Sequence, residues 1–398
     1  MKEIRELANT LRTFSIFSGI YKDTVLSSLL QLVETIATHD THTQVKAYAQ
    51  FASALYQHGG DLSLYVLDFA KGDVNPYIKR KANGEPVPPS MQACAGAELS
   101  LLAEVAAITS KHFKDEIDYP GFLPDWENSP LDIRSEYSAF AANAPAGGYG
   151  VFAQYHMFAA DAGNLIPIAT PDGISLADLS GYEYERNQVL ESTLSFLRGG
   201  AFSNVLLYGD SGTGKSSTIK AIANEFGSQG LRLVEFRKDQ LSSIPAVIRA
   251  LAGNPLKFIF FIDDLSFTHD GDDYIALKAI LEGSVFQRPS NIAVYVTSNR
   301  RHLVKESFSD REGDDVHINE TIQQTVSLSD RFGLTVPFVV PSRDTYLGVV
   351  DHIAARMQLP TAQMRDLHMR AESYAIQKGG RSPRVARQFI EAILSGVE

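Results

Sequence analysis

The stretch that most constrains the fold of this chain is a glycine-rich segment in its second half. Residues 209 to 216 read Gly-Asp-Ser-Gly-Thr-Gly-Lys-Ser and fit the phosphate-loop pattern G-x-x-x-x-G-K-[ST]. The apolar run 205–208 before it predicts a short buried strand, and residues 218–226 after it predict a helix. A strand, a glycine turn and a helix in this order predict an anion-binding site at the point where the helix begins.

The residue types of this loop suit a nucleoside triphosphate. Glycines permit a tight turn that points successive backbone N–H groups at a phosphate, and the helix adds its positive N-terminal end. Lys215 is expected to reach the β- and γ-phosphates, and the Ser216 hydroxyl to ligate Mg²⁺. A glycine-rich turn that binds nothing is the alternative. The predicted nucleotide-binding residues of the loop are Gly209, Asp210, Ser211, Gly212, Thr213, Gly214, Lys215, Ser216 and Ser217.

The composition argues against several other classes of protein. The chain has 398 residues and a formal net charge of -11, which disfavours broad attraction to nucleic acid or to anionic membranes. Cys94 is the single cysteine, so neither a disulfide framework nor a thiolate zinc site is possible. No apolar run approaches the roughly 20 residues that span a bilayer, and the N-terminus lacks the apolar core of a signal peptide. We therefore expect a cytoplasmic protein.

Residues 1–160 are predicted to form a separate, mostly helical domain. Stretches 24–38, 45–57 and 97–113 space their apolar residues at three and four, as amphipathic helices do. This region contains no catalytic constellation, and its role does not follow from its sequence. Residues 161–180 are rich in loop-forming residues and are expected to be a linker.

The segment just before the phosphate loop is expected to lie close to a nucleotide base. Tyr182 precedes a helix predicted from about Tyr184 to Leu197 and is our candidate for a contact with the base. Simple packing of this ring in the core is an equally good alternative.

Polar side chains follow two apolar runs that read as central parallel strands. Residues 258–262, Phe-Ile-Phe-Phe-Ile, end in Asp263 and Asp264, and residues 292–296 end in Thr-Ser-Asn299. Ligands of open α/β sheets bind at the carboxyl ends of strands. We therefore expect Asp263 to hold Mg²⁺, Asp264 to orient or deprotonate water, and Asn299 to hold that water or a γ-phosphate oxygen. A strand cap and an ordinary turn residue are the alternatives.

Two further motifs complete an ordered set. Residues 329–333 read Ser-Asp-Arg-Phe-Gly, and residues 380–384 read Gly-Arg-Ser-Pro-Arg. With the phosphate loop and the two strand ends, they make residues 176–397 resemble an AAA+ ATPase. The motifs are most similar to those of replication initiators and helicase loaders. The whole stretch also resembles a family of bacterial ATPases catalogued only as a domain of unknown function.

The resemblance implies a parallel sheet in strand order 5-1-4-3-2 over residues 181–340 and a helical lid over residues 341–398. It implies that nucleotide sits between subunits of a homo-oligomer, with Arg331 as an arginine finger that acts on the neighbouring subunit. Arg384 matches the sensor 2 arginine of the lid, and Arg381 is the competing choice. The residues expected to act in catalysis are Asp264, Asn299, Arg331 and Arg384, and those expected to bind metal are Ser216 and Asp263.

The sequence departs from the family pattern at several points. Asp264 stands where most of these proteins have glutamate, which bears on water activation and not on binding. Residues 238–245 lack the aromatic pore loop of polypeptide-threading members, and we do not expect the appended DNA-binding helices of initiators, since the printed sequence ends with the lid helix. Residues 305–325 are a polar insertion in which a solvated loop is the favoured interpretation over a metal site. Its charged residues are Asp310, Arg311, Glu312, Asp314, Asp315 and His317.

These observations predict an ATPase that uses ATP and Mg²⁺ to change the conformation of a partner, which the acidic charge suggests is a protein. Direct nucleic-acid binding and membrane association are not expected. A switch that binds ATP with negligible turnover and a loader of a nucleic-acid enzyme are the two alternatives.

Overall fold

The protein is described here from a computed structural model. The structure describes residues 11–36, 40–265, 289–299 and 331–396, together with Asn9 and Leu281. The chain forms two compact units, residues 1–154 and residues 155–398. The predicted insertion at 305–325 and its charged residues lie outside the described part of the chain.

The first unit is α-helical, as the sequence predicts. Four of its described helices begin at polar caps: the side chains of Asp40, Asp61, Asn75 and Asp132 each accept a hydrogen bond from a backbone N–H in the first turn. Large rings fill its core, including Phe17, Tyr48, Phe51, Phe113 and Tyr137. The helices are Thr24–Ile36, Thr41–Tyr56, Leu62–Gly72, Pro76–Ala82, Pro89–Ala106, Ser110–Lys114, Ile133–Gly147 and Val151–Gln154.

A buried carboxylate holds the first described residues onto this helical core. Glu98 is 4% exposed and accepts hydrogen bonds from three consecutive backbone N–H groups. The donors are Ser15 at 2.7 Å, Ile16 at 3.0 Å and Phe17 at 2.9 Å. A buried N–H without a partner is costly, so this one side chain fixes the course of the segment across the helix Pro89–Ala106.

The second unit is built on a seven-stranded sheet. We number the strands β1 Met157–Asp161, β2 Asn164–Pro167, β3 Val205–Gly209, β4 Leu231–Phe236, β5 Lys257–Ile262, β6 Ile292–Ser298 and β7 Leu334–Phe338. Their order across the sheet is β2-β1-β4-β5-β6-β3-β7. Every pair is parallel except β1 with β2. The five strands from β7 to β4 follow the order that the family resemblance implies, so that expectation is confirmed.

The apolar runs of the sequence account for the central strands. All seven residues of β6 and the last five of β5 are buried, as is typical of central strands in a parallel sheet. Among the described residues, three longer helices belong to the α/β part of this unit. They are Glu183–Leu197, Lys215–Phe226 and Ile244–Leu251, with the short turn Leu176–Asp178 before the first. Parallel pairing places the carboxyl ends of β3, β5 and β6 side by side at one edge.

Residues 157–167 differ from the sequence expectation of a domain end and a linker. They form the hairpin of β1 and β2, and β1 extends the parallel sheet beside β4. Ala162 and Gly163 make the turn with φ of 47° and 83°, which is the left-handed backbone that two-residue hairpins need. The strands are too short, and β1 too rich in alanine, to give a clear apolar alternation.

Three helices at the C-terminal end form a small domain with its own core. They are Arg343–Arg356, Leu367–Gln377 and Pro383–Ser395. Tyr346, Val350, Phe389 and Ile390 lie at the centre of that core. We call this helical group the lid. Across the described residues, no helix combines the length and apolar character that crossing a membrane requires.

Replacing Glu98 by alanine should destabilise the first unit by about 3 kcal/mol, because two buried N–H groups and one half-buried group lose their acceptor. Trp126 is the single tryptophan and lies in the core of this unit, so its fluorescence in urea reports the unfolding of this unit alone. Glu104→Ala, at an exposed position of the same helix, is the matched control and should cost well under 1 kcal/mol. Equal losses for the two variants would contradict the assignment.

Candidate nucleotide-binding site

The glycine-rich segment forms a tight loop between β3 and the helix Lys215–Phe226. Gly209 and Gly212 have φ of 132° and 79°, a backbone region that L side chains rarely adopt. Neither position has room for a side chain. A Cβ on Gly209 would lie 2.1 Å from the Phe338 carbonyl oxygen, and one on Gly212 would lie 3.0 Å from the Arg384 Cβ. The loop therefore packs against β7 on one side and the lid on the other.

The Lys215 ammonium lies inside this loop and is held by oxygen atoms. Its Nζ donates to the carbonyl oxygens of Gly209 at 2.8 Å and Asp210 at 2.7 Å, and to Asn299 Oδ1 at 3.2 Å. Burial lowers the pKa of Lys215, and the charges of Asp210, Asp263 and Asp264 oppose that shift. The ammonium thus points into a space that is already rich in negative partial charge.

One chain of hydrogen bonds joins the loop to the ends of β5 and β6. Asp263 Oδ1 accepts from the hydroxyls of Ser216 and Thr297, each at 2.5 Å. The Thr297 hydroxyl in turn accepts from the Asp264 backbone N–H at 2.9 Å. Asn299 Nδ2 donates to Asp264 Oδ1 at 2.6 Å. The structure therefore brings together five residues from three elements that the sequence predicts to share one edge of the sheet.

Asp264 adopts an unusual backbone conformation. Its φ is 49°, in the left-handed region that few residues other than glycine, asparagine and aspartate enter. The hydrogen bond from its N–H to Thr297 holds this turn. Its side chain is exposed, whereas Asp263 is partly buried. The two adjacent carboxylates consequently lie in different environments, with Asp263 against the loop serine and Asp264 towards the open side.

The lid reaches the loop through Arg384. The Arg384 backbone N–H donates to the Gly212 carbonyl oxygen at 3.2 Å, and its guanidinium lies 3.4 Å from the Ser211 hydroxyl. Arg381 makes a two-pronged ion pair with Glu372 inside the lid, at 3.0 and 2.7 Å. That hydrogen bond holds the pKa of Glu372 below its usual value. Of the two arginines that the sequence offers for this position, Arg384 is therefore the one at the loop.

A cavity of about 520 Å³ lies between the loop and the lid. Its volume is in the range of small-molecule sites. Polar and charged groups line it around the loop, and apolar side chains of the lid and of residues 174–180 line it elsewhere. Outside the loop, the lining residues are Ile174, Asp178, Leu179, Ser180, Arg186, Asp263, Asp264, Thr297, Asn299, Val349, Ile353, Pro383, Arg384 and Arg387.

Several of these residues have no signature in the sequence. Val349, Ile353 and Leu179 appear there only as apolar positions of helices and loops. Arg387 follows Arg384 by three positions and therefore shares its face of the helix, a spacing that the sequence could have revealed. Thr297 precedes Asn299 by two positions, where alternation along an extended strand places both side chains on one face.

Tyr182 is not at the cavity. It is 8% exposed, its ring stacks on Phe338 with centroids 5.2 Å apart, and its hydroxyl donates to the Val339 carbonyl oxygen at 2.6 Å. Burial raises the pKa of this hydroxyl. The left-handed turn at Tyr182, with φ of 60°, directs the ring into the sheet core. The structure thus supports the packing alternative, and the neighbouring segment that lines the cavity is 174–180.

Arg331 lies directly before the buried Phe332 and the strand β7. It is partly buried, and among the described residues it is not one of those that line the cavity. Its predicted role on a neighbouring subunit therefore stays a prediction.

The donor set fits a nucleoside triphosphate with Mg²⁺. A buried ammonium, a ring of loop N–H groups and a helix N-terminus suit phosphate oxygens. The Ser216 hydroxyl and the Asp263 carboxylate already lie side by side, as two oxygen ligands of one cation would. Within the described residues, no group of three or more His, Cys, Asp or Glu side chains is placed to hold a metal ion. Mg²⁺ commonly uses one or two carboxylates together with phosphate oxygens, and Ser216 and Asp263 are the residues that would hold it.

The fold and the site together define an AAA+ core. The phosphate loop follows β3, acidic and amide side chains follow β5 and β6, and a helical lid packs against the loop. Within that class, the model of the family described as "Protein of unknown function (DUF815)" matches residues 151–397, more than half of the chain. The chain belongs to this family.

Two other proteins are similar over part of their length. The 26S proteasome regulatory subunit 6B homolog of Schizosaccharomyces pombe is 28% identical over 161 residues, and the match covers 34% of this chain and 41% of that protein. The solved structure of the Thermotoga maritima RuvB Holliday junction branch migration motor is 16% identical with a TM-score of 0.39. That match covers 56% of this chain and 64% of RuvB. The chain therefore spans less than two thirds of either protein.

Exchange of Tyr182 for phenylalanine distinguishes packing from base contact. Tyr182→Phe removes only the hydrogen bond to Val339, so nucleotide affinity should stay within about twofold of wild type. Leu179→Ala, which removes apolar contact at the cavity, should weaken ATP binding by about tenfold. Titration calorimetry with ATP measures both. A large loss of affinity in Tyr182→Phe with none in Leu179→Ala would reverse the assignment.

Proposed function

We propose that this protein binds ATP with Mg²⁺ in the cavity under the lid, hydrolyses it, and uses the cycle to change the conformation of a protein partner. The observation that carries this proposal is the hydrogen-bonded chain Ser216–Asp263–Thr297–Asp264–Asn299, with the Lys215 ammonium bonded to its last member. It combines, at one sheet edge, the groups that phosphoryl transfer needs. These are a cation ligand pair, a positive charge and two water-orienting side chains.

The role that we propose for each residue follows from its surroundings. Mg²⁺, when bound, would offset charge on the phosphate oxygens, and Ser216 and Asp263 are the groups that would hold it. Lys215 supplies a second positive charge that its carbonyl contacts aim at the loop interior. Asp264 is the more exposed carboxylate and therefore the better base for a water molecule entering from solvent. Asn299 bonds both Lys215 and Asp264 and so fixes their separation.

The position of the lid would depend on whether the γ-phosphate is present. Arg384 touches the loop through its own backbone N–H and through its guanidinium, so a phosphate in the loop would meet this arginine directly. On the far side of the cavity, Arg356 of the lid pairs with Asp178, and the His352 ring lies 3.1 Å from the Ala177 carbonyl oxygen. Gain or loss of the γ-phosphate would therefore act on a lid that is attached at two points.

One observation favours a second candidate, a switch that binds ATP with very slow turnover. Asp264 is one methylene shorter than the glutamate of most AAA+ proteins, and Asn299 already binds its Oδ1. A carboxylate held in this way is less free to accept a proton from water. Steady-state phosphate release by the wild-type protein separates the two candidates.

We further propose that the protein assembles as a homo-oligomer in which Arg331 acts on the nucleotide of the next subunit. Arg331 is not one of the described residues that line the cavity of its own chain, and this position is compatible with action on the nucleotide of a second subunit. A protein partner is favoured over nucleic acid by the net charge of -11.

Removal of the loop cation should abolish tight binding. Lys215→Ala should weaken ATP binding on the order of 100-fold, since charge-assisted hydrogen bonds to the phosphates are lost. Lys220→Ala is the matched control on the same helix, where the side chain pairs with Glu235 outside the cavity. Asp264→Asn should keep its ATP affinity and slow phosphate release by about 10² to 10⁴. Equal affinities of Lys215→Ala and Lys220→Ala would refute the loop assignment.

Arg331 is tested by mixing two inactive variants. Arg331→Ala should still bind ATP, yet hydrolyse it about 10³ to 10⁵ times more slowly. Combined with Lys215→Ala it should recover activity, because one variant keeps an intact loop and the other keeps the arginine. Arg237→Ala, at an exposed arginine paired with Asp239, serves as the control and should be as active as wild type. Absence of recovery on mixing, with activity independent of protein concentration, would show that Arg331 does not act between subunits.

A further inference from the structure

The first unit carries a loop whose tip is unusually apolar for a protein surface. We call residues 118–122, Asp-Tyr-Pro-Gly-Phe, the aromatic loop. Phe122 is 86% exposed, the highest value among the large apolar side chains of the described residues, and Tyr119 is 42% exposed. The Tyr119 ring lies against Gly121, where a Cβ would come within 2.3 Å of the ring. Glycine at this position therefore leaves room for the Tyr119 ring against the backbone of the loop.

Both ends of the aromatic loop are fixed to the core. On one side Ile117 is buried, and its backbone N–H bonds to the Phe113 carbonyl oxygen at 3.0 Å. On the other side Leu123 is buried, and the Pro124 carbonyl oxygen accepts from the Tyr48 hydroxyl at 2.5 Å. The rigid ends leave Phe122 displayed on a loop that loses little conformational freedom when it binds.

The next residues along the chain strengthen that attachment. Asp125 accepts from Ser110 Oγ at 2.5 Å and from Lys114 Nζ at 2.7 Å. The hydrogen bond from Lys114 holds the pKa of Asp125 below its usual value. Trp126 then packs its ring edge-on against Phe51 at 5.0 Å between centroids and donates to the Ile108 carbonyl oxygen. The loop thus leaves and re-enters a well-packed, hydrogen-bonded part of the core.

The charges beside the loop are mostly negative. Asp115, Glu116 and Asp118 are exposed, and within the described part of the chain they take part in no ion pair. Lys111 is the exposed cation of the same stretch, whereas the Lys114 charge is already paired with Asp125. Along the chain, the exposed Phe122 ring therefore follows three exposed carboxylates that form no ion pair among the described residues.

We infer that the aromatic loop is a docking site for a protein partner that offers an apolar pocket for Phe122, rimmed by lysine or arginine. Aromatic anchors held on a rigid loop are the usual centre of such contacts, and charges at the rim set the choice of partner. Anionic lipid and nucleic acid would be repelled by the same carboxylates. A basic protein would thus be the partner of the proposed ATPase. The docking site rests on the proposed function only for what ATP hydrolysis does to the bound partner.

Photocrosslinking at the loop tip tests this inference in the intact chain. Full-length protein with Phe122→p-benzoylphenylalanine is irradiated in its native cells, and the same replacement at Tyr184, an exposed ring of the second unit, is the control. We expect one protein to crosslink at position 122 and not at position 184. That protein, once purified, should bind wild type and bind Phe122→Ser on the order of 30-fold more weakly.

The charge requirement is tested with the same purified pair. The combined variant Asp115→Asn, Glu116→Gln, Asp118→Asn should bind more slowly than wild type and lose most of the salt dependence. Trp126 fluorescence in urea should give the same unfolding midpoint for all variants, since only exposed side chains change. Each variant should also keep wild-type ATP hydrolysis, so a failure of the loop and a failure of the proposed ATPase activity remain distinct.

Several results would overturn the inference. They are a crosslink only to the second unit of the same chain, to a second copy or to lipid, or no crosslink specific to position 122. Equal affinity of the captured protein for wild type and Phe122→Ser would do so too. A crosslinked surface that is acidic, with binding that salt does not weaken, would reject the proposed partner chemistry.

Discussion

The rest of the site depends on the hydrogen bonds that the Asp263 carboxylate accepts. It follows β5 directly, and its Oδ1 accepts hydroxyl groups from the start of the loop helix and from the end of β6. A charged oxygen at a partly buried strand end is costly unless donors surround it. Ser216 and Thr297 meet that requirement here, and they align the loop with the two central strands. The charge of Asp263 also raises the pKa of Lys215, against the larger effect of burial, which lowers it. Without this carboxylate, the loop would lose its hydrogen bond to the end of β5.

The lid depends on the same loop for its position. The Arg384 N–H bonds to the Gly212 carbonyl oxygen, and the absence of a side chain on Gly212 permits the close approach of the lid helix. On the opposite side, Gly181 has φ of 72° and a Cβ there would lie 3.0 Å from Val349 of the lid. Two glycines thus set how near the lid can come to the α/β part of the unit. A change in the loop would affect the lid because one contact between them, from the Arg384 N–H to the Gly212 carbonyl oxygen, joins two backbones, which adapt less than side chains do.

The sequence predicts those features whose chemistry demands particular residue types. The phosphate loop, the carboxylates after β5 and the amide after β6 all follow from such demands, and the structure places Lys215, Asp263, Asp264 and Asn299 together. The hairpin of β1 and β2 escaped prediction because four- and five-residue strands give almost no periodic signal. Tyr182 was open to two interpretations, since an aromatic residue before a helix suits either a base or the core. The burial of the ring, its stacking on Phe338 and its hydrogen bond to Val339 decide between them, and these contacts cannot be read from the sequence.

The contrast between the two units has the same physical origin. Phosphate and Mg²⁺ are small, fixed in charge and met by few residue types, so a site for them leaves a recognisable spacing in the sequence. Binding of a protein partner requires only a complementary shape, exposed apolar surface and complementary charge, which many sequences can provide. In the first unit, the polar residues that stand out in the sequence are helix caps, and they indicate where helices begin and not what the unit binds. Phe122 resembles any other phenylalanine of the chain until burial shows that Ile117 and Leu123 enter the core while it does not. The docking site of this unit is therefore recognised from the exposure of Phe122 and from the attachment of its loop to the core, and no sequence motif marks it.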